Sequence, residues 1–88
     1  MDKFIDWQPC AREELRQWKQ DDPKIAKRIF ELLKSIQETP FKGLGKPEPL
    51  KYDLQGYWSR CIDKINRLVY LVTDDAIIIF SCKHHYEK

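Results

Sequence analysis

The sequence predicts an α+β fold in which two N-terminal helices pack on a twisted antiparallel sheet. Segments with helical periodicity lie before residue 40, and runs rich in β-branched and aromatic residues follow residue 50. The later runs are joined by short turns. Helices first and strands afterwards are typical of this class, and 88 residues are enough for one hydrophobic core. We therefore expect a single domain spanning residues 1–88.

The N-terminal segment predicts a short strand followed by a short helix. Residues 3–7 alternate polar and apolar side chains without a turn former, which favours a strand at one side of the sheet. Pro9 suits the first helical position, because it has no N–H to leave unpaired. Acidic residues in the following turn favour a helix that extends to about Gln20.

A second helix is predicted from Asp22-Pro23 onward, with Asp22 as the capping residue and Pro23 as the first helical residue. Apolar residues then recur at spacings of three and four and form one stripe. The stripe consists of Ile25, Ile29, Leu32, Leu33 and Ile36. Thr39-Pro40 ends the helix, because the residue before a proline is disfavoured in helical conformation.

The second half of the chain predicts a constrained loop and then a sheet. Glycines and prolines between residues 40 and 49 exclude a helix or a central strand there. Strands are predicted over residues 50–54, 58–62, 67–73 and 76–82, with Asp74-Asp75 as a tight hairpin turn. The last two strands carry apolar residues on both faces, so we expect them to be central.

Composition favours a reduced, cytoplasmic protein. The three cysteines cannot all pair within the chain, and their spacing matches neither a zinc ribbon nor a secretory disulfide framework. No run approaches the roughly twenty apolar residues of a membrane span, so we expect no membrane association. The net charge of +2 barely favours nucleic acid, and any RNA binding must come from local clusters of cations.

Glu48 is the candidate general base. Pro47 and Pro49 restrict the residues before them, so both Lys46 and Glu48 are predicted to be extended. A stiff backbone suits a base that must reach one proton within hydrogen-bond distance. An exposed loop glutamate beside lysines is the simpler interpretation, and the tripeptide alone favours it.

Several cations could bind the phosphates of RNA. Arg67 begins an apolar strand, and its charge either lies in water at the sheet edge or points inward at an anion. A guanidinium would match the oxygens of a phosphorane-like transition state. Arg60, beside Tyr57 and Trp58, and Lys51 add positive charge near aromatic rings, a combination that binds single-stranded RNA. Trp58 by itself is more typical of a core residue.

The two histidines near the C-terminus could supply a proton to a leaving group, since imidazole titrates near neutral pH. Strand alternation places His84 and His85 on opposite faces and does not choose between them. A polar tail without a catalytic role is the alternative. Cys82 with both histidines could suggest zinc, but adjacent histidines on a strand point apart and no second ligand cluster exists. We therefore predict no metal site.

Together these motifs resemble the YoeB/Txe toxins of the RelE superfamily over nearly the whole chain. The segments that carry the resemblance are Thr39-Pro40-Phe41, Gly45-Lys46-Pro47-Glu48-Pro49-Leu50-Lys51, Gly56-Tyr57-Trp58-Ser59-Arg60, Arg67-Leu68-Val69-Tyr70, Val72-Thr73-Asp74-Asp75 and His85-Tyr86. The resemblance implies a bacterial type II toxin that enters the ribosomal A site of the 70S ribosome and cuts mRNA. It also implies a YefM-like antitoxin as partner and no cofactor. Related toxins can dimerise, which favours a homodimer.

The resemblance assigns roles by matched positions. Glu48, Arg67 and His85 become the catalytic residues, because the family's histidine directly precedes its tyrosine. Lys51, Arg60 and Tyr86 become the substrate-binding residues. Two departures stand out. Cys61 replaces a second arginine, which weakens local phosphate binding, and Glu87-Lys88 extend past the usual terminal tyrosine.

The implied reaction is metal-independent cleavage by the ribose 2'-hydroxyl. Glu48 removes the hydroxyl proton, the oxygen attacks the adjacent phosphorus, and His85 protonates the departing 5'-oxygen. Arg67, helped by Lys51, stabilises the developing charge, while Tyr86 with Arg60 positions the strand. The product carries a 2',3'-cyclic phosphate.

Two other classes of function remain compatible with the sequence. A non-catalytic RNA-binding or ribosome-binding module would block translation by occupancy, using lysines and arginines of the second helix and of the 46–60 region as a phosphate footprint. It would inhibit without producing new RNA ends. A protein-interaction domain would hold an acidic partner segment in its basic groove and would leave translation unaffected.

Overall fold

Five strands form one sheet, and two helices cover one of its faces. The computed structural model describes residues 3–83. The helices are α1 (Pro9–Asp21) and α2 (Pro23–Glu38), with a single 3₁₀ turn at Tyr52–Leu54. The strands are β1 (Phe4–Trp7), β2 (Glu48–Pro49), β3 (Trp58–Cys61), β4 (Arg67–Val72) and β5 (Ala76–Ser81). Their order across the sheet is β1-β5-β4-β3-β2, so β4 and β5 lie inside it as predicted.

The sheet is mixed rather than wholly antiparallel. Strands β2 to β5 pair antiparallel, but β1 pairs parallel with β5, placing Phe4 against Ala76 and Trp7 against Ile79. The antiparallel prediction is therefore wrong at this edge, because β1 and β5 are joined through the rest of the domain and not by a hairpin. The β4–β5 hairpin turns at Asp74-Asp75, as expected, with Thr73 N–H donating to Ala76 O at 2.8 Å.

Both helices begin at the prolines that predicted them. The side chain of Asp22, however, makes no capping hydrogen bond, so that part of the prediction is wrong. The main chain of Asp22 connects the helices instead. Its N–H donates to Trp18 O at 2.8 Å, and its carbonyl accepts the N–H of Ile25 at 2.9 Å. Asp22 is thus the single residue between the two helices. Neither α1 nor α2, nor any other helix within residues 3–83, is long and apolar enough to cross a membrane.

The core lies between the helices and one face of the sheet. The buried side chains of α2 are Ala26, Ile29, Leu32, Leu33 and Ile36, which matches most of the predicted stripe. They belong to the same core cluster as Leu68, Tyr70, Ile77 and Ile79 of β4 and β5. Because strand side chains alternate between faces, the residues between these positions point to the side that the helices leave uncovered.

The segment after β2 differs from the prediction. Residues 50–54 do not form a strand, since the chain leaves the sheet after the hydrogen bond from Leu50 N–H to Tyr57 O at 2.9 Å. The left-handed backbone of Tyr52, with φ of 59°, turns it away. Lys46 is also left-handed, with φ of 54°, although Pro47 predicted it to be extended.

Candidate active site

Glu48 and Arg67 meet on the sheet face without helices. Glu48 pairs with Ser59, and Ser59 pairs with Val69, so side chains of three strands form a row on one face. Arg67 lies two residues before Val69 and shares this face. Its Nη2 atom is 3.3 Å from Glu48 Oε1, and its Nη1 atom donates a hydrogen bond to Ser59 Oγ at 3.0 Å. The sheet thus joins a carboxylate and a guanidinium from distant parts of the sequence.

A small pocket surrounds this pair. Its volume is about 100 Å³, and its lining includes Lys51 and Leu50 as well as Glu48, Ser59 and Arg67. The side chain of Glu48 is 53% exposed and that of Arg67 is 28% exposed. Ion pairs this accessible contribute about 0–1 kcal/mol to stability. An incoming anion can therefore replace Glu48 as the partner of the Arg67 guanidinium with little loss of stability.

Strained backbone brackets Glu48. Lys46 and Tyr52 are the non-glycine residues with positive φ in the part of the chain that the structure describes. For side chains of this size the left-handed region costs about 1–3 kcal/mol per residue. Such strain persists where surrounding contacts enforce it, and it concentrates at functional sites. Its position on both sides of the proposed base is independent support for a site here.

Arg60 is not at this site. It was expected to bind substrate, but its side chain is completely buried on the opposite face of the sheet, so it has no accessible atom to offer a substrate. The guanidinium donates to Tyr70 Oη at 3.1 Å, Ser35 Oγ at 2.7 Å, Thr39 O at 2.6 Å, Lys42 O at 3.0 Å and Leu44 O at 3.0 Å. These bonds fasten the loop before β2 to the core, and they make Arg60 a structural residue that positions Glu48 indirectly.

Two further contacts hold the same loop. Tyr70 Oη donates to Pro40 O at 2.8 Å, and burial raises the pKa of this phenol against the lowering effect of Arg60. Gly45 O accepts the N–H of Cys61 at 2.7 Å. A side chain at Gly45, where φ is +85°, would place its Cβ 2.7 Å from Leu32 Cδ2. Only glycine fits this close approach, so the path of the loop into β2 is fixed.

Ser59 is a site residue that sequence reasoning missed. Its hydroxyl is buried and accepts the hydrogen bond from Arg67, which sets the plane of the guanidinium. The signal was strand alternation, since Trp58 and Arg60 on one face place Ser59 and Cys61 on the other. Cys61 pairs directly with Arg67, so the departure from the family pattern lies beside the candidate site.

The C-terminal candidates lie outside the described residues. This holds for His84, His85 and Tyr86, so their predicted roles remain predictions. Strand β5 ends at Ser81, which pairs with Val69 in the row that contains Glu48 and Ser59. Of the six predicted site residues, the structure brings together Glu48, Arg67 and Lys51. No cluster of three His, Cys, Asp or Glu residues arranged to hold a metal ion occurs within residues 3–83.

Comparisons with known proteins identify close relatives. The family model for the YoeB-like toxin of bacterial type II toxin-antitoxin system matches residues 7–86. Toxin YoeB of Escherichia coli K12 is 48% identical over 80 residues, which cover 91% of this chain and 95% of the relative. Toxin YoeB of Streptomyces coelicolor is 53% identical over 74 residues, covering 84% and 88%.

Solved structures show the same relationship. The YoeB dimer from Staphylococcus aureus superposes with a TM-score of 0.92 at 47% identity, covering 98% of this chain and all of the other. The heterotetrameric YoeB-YefM complex from Staphylococcus aureus gives 0.89 at 47% identity with the same coverage. YafQ from Escherichia coli, at 18% identity and a TM-score of 0.73, shares the fold.

Proposed function

Because the chain belongs to the family of YoeB-like toxins of bacterial type II toxin-antitoxin systems, we propose that it is a ribosome-dependent endoribonuclease that cuts mRNA. The observation that carries the proposal is the Glu48–Arg67 pair, which joins a candidate base and a candidate phosphate ligand in one small, accessible pocket. The proposed location is the bacterial cytoplasm, where mRNA is translated.

In the first step of the proposed reaction, Glu48 removes a proton. In the free protein this carboxylate is paired with Arg67 at 3.3 Å. When a phosphodiester enters, its anionic oxygens compete with Glu48 for the guanidinium. A planar guanidinium forms bidentate hydrogen bonds with such groups. Glu48 is then free to accept the proton of the ribose 2'-hydroxyl. The rigid entry into β2 fixes the backbone from which the carboxylate is presented during this exchange.

Stabilisation of charge is assigned to Arg67 and Lys51. As the 2'-oxygen attacks phosphorus, negative charge grows on the non-bridging oxygens. Arg67 is held by Ser59 at 3.0 Å, and Lys51 lines the same pocket. Cations that are preorganised around the position of developing charge do not have to move during the reaction. This arrangement suits a displacement at phosphorus, and the proposed reaction gives no role to a metal ion.

Protonation of the leaving 5'-oxygen is assigned to His85, and strand positioning to Tyr86. Strand β5 ends beside Val69, in the row that contains the site. His85 is the fourth residue after Ser81, and four residue-to-residue steps span at most about 14 Å. This reach is compatible with the proposed roles. The product would carry a 2',3'-cyclic phosphate and a free 5'-hydroxyl.

The proposed partners are the 70S ribosome with its mRNA and a YefM-like antitoxin. A YoeB dimer and a YoeB-YefM heterotetramer are known from Staphylococcus aureus, and the high structural similarity supports both assemblies for this chain. Lys51, which is exposed, and the partly exposed Arg67 would attract an acidic antitoxin segment as well as RNA, because both carry negative charge.

Glu48→Gln tests the chemistry. Glutamine keeps the size of the side chain but removes its basicity, so cleavage should fall by roughly 10²- to 10⁴-fold. The measurement is mapping of new mRNA ends in a translation extract. Glu31→Gln is the matched control, because Glu31 is exposed on α2 and distant in sequence from the site. Its rate should equal that of the wild type.

Substrate changes separate the competing interpretations. RNA with a 2'-methoxy group at the cleaved position lacks the nucleophile and should resist cleavage. Cutting of that RNA, or an unchanged rate in Glu48→Gln, would contradict the proposed mechanism. Inhibition of translation by the wild type without new RNA ends would instead favour a non-catalytic module that occupies the ribosome.

A further inference from the structure

Tyr52 is an unusually exposed aromatic residue that directly follows a residue of the candidate site. The residue is 77% exposed, more than any other large hydrophobic residue in the described part of the chain. Lys51, its neighbour, lines the pocket that contains Glu48. An aromatic ring left in water at the edge of a site forgoes burial that it would otherwise gain. Its position therefore calls for an explanation other than packing.

The backbone holds this ring outward under strain. Tyr52 has φ of 59°, a region that bulky side chains rarely adopt. The turn is fixed by the hydrogen bonds from Leu54 N–H to Lys51 O at 3.1 Å and from Gln55 N–H to Tyr52 O at 3.0 Å. Asparagine or glycine would suit this backbone better. A tyrosine on a strained backbone beside a pocket residue is therefore a candidate for a functional contact.

Other aromatic rings in β3 and just before it are already packed against neighbouring rings. Phe41 packs on Trp58 with ring centroids 4.8 Å apart, and Tyr57 packs on Phe80 at 5.4 Å. Phe4 is exposed but lies on β1, at the opposite edge of the sheet from Glu48. Tyr52 is the exposed aromatic side chain that directly follows a residue of the pocket.

The pocket is too small to enclose a nucleotide. About 100 Å³ accommodates a phosphate group but not a whole nucleotide, whereas pockets that enclose small molecules have volumes of roughly 300–1,000 Å³. Bases on either side of the cleaved linkage must therefore be held outside it. Aromatic side chains hold bases of single-stranded RNA by stacking.

We propose that Tyr52 forms a stacking subsite for a nucleobase next to the scissile linkage. The inference rests on the proposed nuclease function and adds a substrate contact to it. The face of the ring binds the base, and the strained turn fixes the direction of the ring relative to Lys51 and Glu48. The phenolic hydroxyl has no partner within residues 3–83 and is not required for this role.

Variants at Tyr52 test stacking through cleavage on programmed ribosomes. Tyr52→Phe keeps the aromatic face and should match the wild type in both kcat and KM. Tyr52→Leu keeps an apolar side chain but loses the π-face, and its kcat/KM should fall roughly 5- to 140-fold, the range that corresponds to loss of one base–aromatic stack. Phe4→Leu is the matched control, since it removes an exposed ring far from the site.

Tyr52→Gly separates stacking from stability. Glycine relieves the positive φ, so the melting temperature should equal or exceed that of the wild type while kcat/KM falls as in Tyr52→Leu. A direct measurement uses a 2'-methoxy oligonucleotide that cannot be cleaved, with 2-aminopurine on one or the other side of the scissile position. Wild type and Tyr52→Phe should quench its fluorescence at one of these positions, and Tyr52→Gly should not.

Three results would overturn the inference. Unchanged kcat/KM in Tyr52→Leu would remove the subsite, and equal losses in Tyr52→Phe and Tyr52→Leu would assign the effect to the hydroxyl. Weaker association with purified antitoxin or a second toxin copy, with RNA quenching unchanged, would assign Tyr52 to a protein interface. Absence of cleavage by the wild type would end the nuclease proposal alone, because quenching tests Tyr52 without any cleavage.

Discussion

Replacing Arg60 with lysine should destabilise the protein strongly. The guanidinium donates five hydrogen bonds within the core, and none of the acceptors is a carboxylate. Lysine keeps the charge but offers three donors from one atom, so at least two buried acceptors lose their partner. Each such loss costs about 1–3 kcal/mol. We expect the free energy of unfolding to fall by about 3 kcal/mol, a large part of the 5–15 kcal/mol typical of a domain.

Thermal and urea unfolding, followed by circular dichroism, measure this effect. A loss of that size corresponds to a decrease in melting temperature of roughly 10–25 °C for a domain of this length. Arg12→Lys is the matched control, because Arg12 is exposed on α1 and should change stability by less than about 0.5 kcal/mol. If Arg60→Lys melts within about 2 °C of the wild type but binds RNA less tightly, the substrate-binding interpretation was right and the structural reasoning is refuted.

Three further outcomes follow from particular contacts. Burial acts to raise the pKa of Asp63, but hydrogen bonds from the turn after β3 lower this pKa below its ordinary 3.8. The ionised carboxylate therefore stabilises the fold above that pH, and this stabilisation is lost as the pH falls. Urea titrations should therefore show Asp63→Ala about 1 kcal/mol less stable than wild type at pH 7, with a smaller difference near pH 2. Burial raises the pKa of Cys82 to about 12, so the free energy of unfolding should decrease as pH rises above 9. At pH 8, thiol reagents should label the exposed Cys10 of the native protein but not the buried Cys82. Ser59→Ala removes the acceptor of Arg67 and should slow cleavage roughly tenfold at unchanged melting temperature, whereas an unchanged rate would contradict a positioning role.

Much of the architecture could be predicted because its signals are local. Pro9 and Pro23 mark the helix starts without reference to the rest of the chain, and the apolar stripe of α2 identifies its buried face. The apolar runs of β4 and β5 likewise required a position inside the sheet. Glu48 and Arg67 were predicted separately, but periodicity could not give their contact. That contact depends on the pairing of β2, β3 and β4.

The errors arise where tertiary contacts override local preference. Arg60 seemed suited to RNA because aromatic residues precede it, yet Trp58, Arg60 and Ile62 alternate onto the core face, and the alternation was the better guide. Lys46 and Tyr52 adopt backbone conformations that neither residue prefers alone. The parallel edge strand also has no local signal, since its partner lies at the far end of the sequence.

That parallel edge strand governs how the chain reaches its native topology. Lys3 Nζ bonds to Thr73 O, 70 residues away, and β1 has no sheet neighbour until β5 exists. Contacts of such long sequence separation slow folding, because a large loop must close before they form. The α1–α2 hairpin and the β3–β4 hairpin can assemble during synthesis, but docking of β1 waits for the final strand. Until β5 has formed, β1 is unpaired and one edge of β4 is open, so both are exposed to chaperones and to other unfinished chains.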